Sequence, residues 1–202
     1  MNKPRKLLVE KEREVHTYAE LWHASGCVLE AGLQNPIGST WQYLSSIVLT
    51  AFAFEAYLNH VGPLTLDSWP SLERSSVLAK FALLAEVLDV KFEGGKKVRP
   101  MQTVHQLIGF RNIMAHGRSE KLSTVEIVDH HPEQDPIGAW PLTDWEKLIK
   151  DEGRFAKRVR EDVGDVLQKL HGARMDEKEH LFSHGMGHHS ATLHSPTAEG
   201  RS

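Results

Sequence analysis

The stretch 47-IVLTAFAFEAYL-58 is the most apolar segment of the chain, and Glu55 is its only charged residue. A helix needs roughly 20 apolar residues to cross a bilayer, so this segment is too short to span one. We interpret it as the centre of a buried core helix that runs from about Trp41 to His60 and ends at Gly62-Pro63. The sequence therefore predicts a protein without membrane association.

The segments on either side of this core helix repeat apolar residues every three to four positions, which is typical of amphipathic helices. Four further helices are predicted, at about Lys6–Leu33, Ser71–Leu88, Pro100–His116 and Trp145–Leu170. The predicted fold class is all-α: an up-and-down bundle of four to five helices with a short irregular or β excursion at STVEIVDHH (123–131) and a disordered C-terminal tail. We assign residues 1–171 to the helical domain and residues 172–202 to a flexible tail rich in His, Gly and Ser.

Composition and charge limit the class of protein. The formal net charge is −3, so the chain lacks the general basic field of proteins that coat nucleic acid, and any nucleic-acid contact must be local. The single cysteine, Cys27, excludes a disulfide framework and fits a reducing cytosol, and we expect it to be packed in a helix. The N-terminus has no apolar signal-peptide region, so we expect a cytoplasmic protein.

The end of the fourth helix, GFRNIMAHGR (109–118), places charged side chains where the pattern is otherwise apolar. Arg111 follows the same helical stripe as Val104 and Ile108, and an unpaired buried guanidinium is very costly. Glu55 is the lone charge of the core helix, so we predict a Glu55–Arg111 ion pair. Such a pair either belongs to a functional site or only fixes the register of the two helices.

Asn112 and His116 are four residues apart and share a helix face, so Asn112 is expected to hydrogen-bond the imidazole. Arg111 and His116 are separated by about 140° around the helix, so one copy does not easily aim both at one atom. Two copies about a two-fold axis would do so. Arginine suits phosphate, and histidine transfers protons at neutral pH. Together they favour metal-independent RNA cleavage, in which a 2′-hydroxyl attacks the adjacent phosphorus and leaves a 2′,3′-cyclic phosphate.

The sequences RNIMAHG (111–117) and FEAYLN (54–59) together resemble the HEPN family, whose signature is Arg, four to six residues, then His. The resemblance covers roughly Val15 to Leu170 and implies a helical bundle that dimerises through its motif helices. Many members are metal-independent endoribonucleases of toxin–antitoxin or phage-defence systems, and others are non-catalytic dimerisation or binding modules. The resemblance implies that Arg111 and His116 are catalytic and that Asn112 supports them, while Glu55 and Asn59 look like polar positions of the preceding core helix.

The implied partners are RNA, a second copy of the chain and a possible cognate antitoxin protein, and no cofactor is expected. Candidate RNA-binding residues flank the fourth helix, although an ordinary solvated loop explains them equally well: Lys96, Lys97, Arg99, Arg118 and Lys121.

Two other groups of residues are interpreted as outside any site. His180, His184 and His188 have metal-ligand spacing for a helix, but Gly185 and Gly187 disfavour that helix, so we predict no metal site. Four tryptophans are expected to pack in the core rather than to stack on bases: Trp41, Trp69, Trp140 and Trp145.

Overall fold

The computed structural model describes residues 6–125, 127, 139–174 and 180–193. Its elements, in chain order, are β1 (Leu7–Arg13), α1 (Thr17–Gln34), α2 (Thr40–Thr65), α3 (Val77–Val87), α4 (Met101–His116), α5 (Asp144–Ile149), α6 (Arg154–Gly172) and β2 (Gly187–Leu193). Short 3-10 helices lie at Trp69–Leu72 and Gly95–Lys97. The predicted all-α fold is confirmed, with one two-stranded antiparallel sheet added to it.

Helix α2 is the centre of the fold. It contacts α1, α3, α4, α5 and α6. Ile47, Phe54, Tyr57 and Leu58 are completely buried, which confirms that this apolar stretch is a core helix. Among the described residues, no helix combines the length and apolarity that a membrane crossing requires.

The predicted end of α2 at Gly62-Pro63 is wrong, because the helix continues to Thr65. Gly62 serves close packing instead: a Cβ atom at this position would overlap the indole of Trp69. Pro63 is exposed in the last turn, where its missing N–H costs the helix a single hydrogen bond.

The prediction of one first helix over Lys6–Leu33 is also wrong, because its first part is strand β1. β1 pairs antiparallel with β2, from Leu7 opposite Leu193 to Arg13 opposite Gly187. Residues 187–193 of the predicted flexible tail are therefore a strand, and residues 175–179 and 194–202 lie outside the described residues. Helical periodicity missed this pairing because the two strands lie at opposite ends of the chain.

The tail is also attached to the bundle directly before β2. Leu181 is buried in the core, and the Phe182 ring stacks on Trp22 with ring centroids 4.6 Å apart. The apolar side chains of this short segment thus extend the core beyond the predicted domain boundary at residue 171.

The predicted fifth helix is two helices, α5 and α6, separated by residues 150–153. Gly153 turns the chain with a φ of 79°, a value that favours glycine. Thr143 caps α5: its hydroxyl accepts from the Glu146 backbone N–H, and the Glu146 carboxylate accepts from the Thr143 N–H. This backbone hydrogen bond lowers the pKa of Glu146.

Three smaller expectations concern single residues or short segments. Cys27 is exposed, not packed, and its Sγ lies 3.5 Å from His23 Nε2. Trp69 is buried and Trp145 packs against the core, as predicted, but Trp41 and Trp140 are exposed. Residues 123–125 and 127 of the predicted short strand have no regular secondary structure, and the rest of it lies outside the described residues.

Candidate functional site

Helix α4 carries Arg111 to the surface of the core, next to α2. The buried side of α4 is apolar through Met101, Val104 and Ile108, and Arg111 follows at its margin with 24% of its side chain exposed. Arg111 Nη2 donates a hydrogen bond to Glu55 Oε2 at 2.8 Å. The predicted ion pair between the two lone charges is therefore confirmed, and it forms within one copy of the chain.

Sequence reasoning missed a second cation at this carboxylate. Lys80 of α3 is only 3% exposed, and its Nζ lies 3.9 Å from Glu55 Oε1. The same Nζ donates to Asn59 Oδ1 at 2.9 Å, so Asn59 joins the site through Lys80. A signal was available, since Lys80 interrupts the buried side of α3 between Val77 and Leu84.

Asn112 contacts Arg111 instead of His116. Arg111 Nη1 donates to Asn112 Oδ1 at 3.1 Å, and the expected hydrogen bond from Asn112 to His116 is absent among the described residues. Arg111 Cζ also lies 6.0 Å from the centroid of the Phe52 ring. The guanidinium is thus held by a carboxylate, an amide and an aromatic face, while its buried Nε has no hydrogen-bond partner in the part of the chain that the structure describes.

His116 is the last residue of α4, and its side chain is exposed. It lines an open groove of about 550 Å³ together with Asn112, Ile113, Gly117, Arg118 and Glu120. A non-catalytic module predicts a paired Arg111 and a His116 that is packed or caps the helix, with no opening for a phosphate. Arg111 is paired, whereas His116 is exposed at the end of the helix and lines a groove. An exposed His116 in a groove is what an enzyme predicts.

Arg111 lines a different depression from the one that His116 lines. It lines a cavity of about 350 Å³ together with Glu55, Asn112 and the residues that precede and begin α3. Asn112 belongs to the walls of both depressions, whereas His116 lines only the groove. One copy of α4 therefore presents the two motif side chains to neighbouring but separate openings.

The five candidate RNA-binding residues are not brought together. Lys96, Lys97 and Arg99 precede α4, whereas Arg118 and Lys121 follow it, and the 16 residues of this helix separate the two sets by about 24 Å. Arg99 is engaged elsewhere, because its Nη2 and Nε donate to the largely buried carboxylate of Asp162 at 2.8 to 3.0 Å. This hydrogen-bonded pair raises the pKa of Arg99.

Arg118 lines the groove of His116, and Lys121 is exposed just beyond it. These two residues therefore form the candidate basic surface next to the motif, and Lys96 and Lys97 form an exposed surface at the far end of α4.

Two of the three tail histidines with metal-ligand spacing lie next to glutamates. His184 Nδ1 is 3.2 Å from Glu20, and His188 Nε2 is 3.1 Å from Glu12. Because His188 belongs to β2, the helical ligand spacing suggested by the sequence is not formed. The described residues contain no group of three or more His, Cys, Asp or Glu side chains arranged to hold a metal ion.

The residues of this site are interpreted from their own geometry and chemistry. Comparison of the chain with protein-family models, with curated proteins and with solved structures gives no match.

Proposed function

We propose that this protein is a metal-independent endoribonuclease of the HEPN type that acts as a homodimer. One observation carries the proposal: the last turns of a single helix hold both an anchored Arg111 and an exposed His116. Arg111 is fixed by Glu55 and Asn112, and His116 projects into an open groove beside it. This is the combination that phosphate binding and proton transfer require.

Arg111 keeps donors available for a phosphate. One N–H of its guanidinium donates to Glu55 and another to Asn112. Its Nε is buried, so the donors left for a phosphate are the Nη–H groups that Glu55 and Asn112 do not use. A guanidinium held in this way stabilises the charge that builds on the phosphoryl oxygens without having to reorganise.

The proposed reaction uses one histidine as the base. His116 removes the proton of a ribose 2′-hydroxyl, and the oxygen attacks the adjacent phosphorus while the bond to the 5′-oxygen breaks. The imidazolium formed at His116 then gives this proton to the leaving 5′-oxygen, so each site needs one histidine. The products are a 2′,3′-cyclic phosphate and a 5′-hydroxyl, and DNA is not a substrate because it lacks the 2′-hydroxyl.

Glu55, Lys80 and Asn59 act as positioning residues in this proposal. Lys80 holds Glu55 and Asn59 from inside the core, and Glu55 in turn holds Arg111. Arg118 and Lys121 are the basic residues proposed to contact RNA, since they lie at the same end of α4 as His116. We further propose a cytoplasmic role in a toxin–antitoxin or phage-defence system, with a possible antitoxin as protein partner.

The alternative is a non-catalytic HEPN-like dimerisation or binding module. One observation favours it: Arg111 already has a carboxylate partner in its own copy, at 2.8 Å. In that case Arg111, Glu55 and Lys80 form a structural network, and His116 has no chemical role.

Cleavage of total RNA and tRNA in EDTA separates the two functions. Wild-type protein is compared with His116→Ala and with His189→Ala, a matched variant at an exposed histidine of β2. The proposal expects cuts with 2′,3′-cyclic phosphate ends from wild type and His189→Ala, and none from His116→Ala. Absence of cleavage by folded, dimeric wild type would favour the binding module, and equal cutting by all three samples would reveal a contaminant.

A further inference from the structure

The cavity beside Arg111 lies between the start of α3 and the end of α4. Arg111 and Asn112 of α4 line it together with Arg74, Ser75 and Ser76 of the segment that precedes α3. Its volume of about 350 Å³ exceeds the needs of a single ion and is at the lower end for organic ligands. Its lining combines charged and polar side chains with the apolar Val77, Leu78 and Ile108, so the cavity is suited to a charged group with a small, less polar attached moiety.

The charged side chains that line this cavity are Arg74, Arg111, Glu55 and Glu73, so their formal charges balance. Glu55 is already engaged, because its two oxygens lie 3.9 Å from Lys80 Nζ and 2.8 Å from Arg111 Nη2. Arg74 therefore has no carboxylate partner among the described residues, and an anion in the cavity would pair with it.

Several hydrogen-bond donors of this cavity remain available. Arg74 is exposed and has no ion pair within the described residues. Ser75 and Ser76 line the same cavity, and Ser76 Oγ still has its proton to donate because it accepts from the Ala79 N–H. Hydroxyls combined with two guanidinium groups suit a tetrahedral oxyanion.

We propose that this cavity binds a phosphate group of the RNA strand, one nucleotide away from the bond that is cut, with Arg74 as its main contact. This inference rests on the proposed ribonuclease function. Arg74 and Arg111, which both line the cavity, would hold neighbouring phosphates of one strand, and the attached ribose accounts for the volume beyond that of the phosphate. Free phosphate shares this chemistry and is the other possible ligand.

The test is a binding measurement that needs no catalysis. A fluorescent, non-cleavable 2′-O-methyl RNA oligonucleotide is titrated with wild type, Arg74→Ala and Arg13→Ala, and inorganic phosphate is added as a competitor. Arg13 is a matched control because it is exposed on β1, away from the cavity. We expect Arg74→Ala to bind roughly tenfold more weakly at low salt, the size of one lost charged hydrogen bond, and to lower the salt slope by about one. We expect Arg13→Ala to bind as wild type does.

Circular dichroism checks that the Arg74→Ala and Arg13→Ala variants are folded, so a change in binding is not caused by unfolding. Equal affinity and equal salt slope of Arg74→Ala and wild type would overturn the proposal, as would phosphate binding without oligonucleotide binding. A loss of binding in Arg74→Ala combined with no RNA cleavage by wild type would support the phosphate site and reject the ribonuclease function. Cleavage by wild type with unchanged binding in Arg74→Ala would reject the phosphate site alone.

Discussion

Glu55→Ala is expected to destabilise the protein strongly, because this carboxylate lies between two cations. Among the described residues, the substitution leaves the Asn59 amide as the one hydrogen-bond partner of buried Lys80, and it leaves Arg111 with Asn112. Breaking a fully buried ion pair costs about 3–5 kcal/mol. Since Glu55 and Arg111 are 23% and 24% exposed, solvent reduces this cost, and we expect about 2–3 kcal/mol.

Three further variants test whether the loss of stability comes from the charges around Glu55. Arg111→Ala leaves Glu55 with Lys80 at 3.9 Å, so we expect a smaller loss of about 1–2 kcal/mol. Adding Lys80→Met to Glu55→Ala is expected to restore part of the stability, because it removes the orphaned buried charge while keeping the volume. Glu73→Ala is the control, since this exposed glutamate lines the same cavity without an ion pair among the described residues.

Urea unfolding at neutral pH measures these differences, and thermal melting gives a second reading. For a chain of this length, the Glu55→Ala loss corresponds to a decrease in Tm of roughly 4–12 °C. A Glu55→Ala variant within about 0.5 kcal/mol of wild type would refute the reasoning. So would a double variant less stable than Glu55→Ala alone, because Lys80 would then not depend on this carboxylate.

Two further predictions concern packing and assembly. Gly62→Ala is expected to destabilise the protein by about 1–3 kcal/mol, because the added Cβ overlaps the Trp69 indole; unchanged unfolding in urea would contradict this. If each active site combines Arg111 of one copy with His116 of the other, then mixing and reassociating inactive Arg111→Ala and His116→Ala copies is expected to restore part of the RNA cleavage. No recovery from mixed dimers, verified by mass spectrometry, would reject a site shared between copies.

The sequence was sufficient to predict those features that depend on local pattern or on isolated charges. The apolar run of α2 predicted a core helix, and Gly117, a residue that commonly stops a helix, predicted the end of α4 at His116. Glu55 and Arg111 were predicted to pair because each is a lone charge in an apolar helix, and neither can be buried alone.

The features that were missed depend on contacts between distant segments. The β1–β2 pairing joins the two ends of the chain, and neither strand buries a face whose periodicity would reveal it. Lys80 was missed because one lysine in an otherwise apolar helix was not compared with the acceptors on α2. The cavity next to Arg111 is formed where the start of α3 approaches α4, and helical periodicity does not give that placement.

The angular separation of the motif residues connects the geometry of one copy with the proposed dimer. Arg111 and His116 are about 140° apart around α4, which is why Arg111 lines the cavity toward α3 while His116 lines the groove beyond Asn112. One copy therefore offers phosphate binding and proton transfer in different places. A two-fold axis close to Asn112 and the exposed Ile113 would place the groove of each copy next to the cavity of the other copy. The dimer would then contain two equivalent sites. In this proposal the dimer is a requirement of the chemistry, because it alone places a histidine beside a phosphate that Arg111 holds.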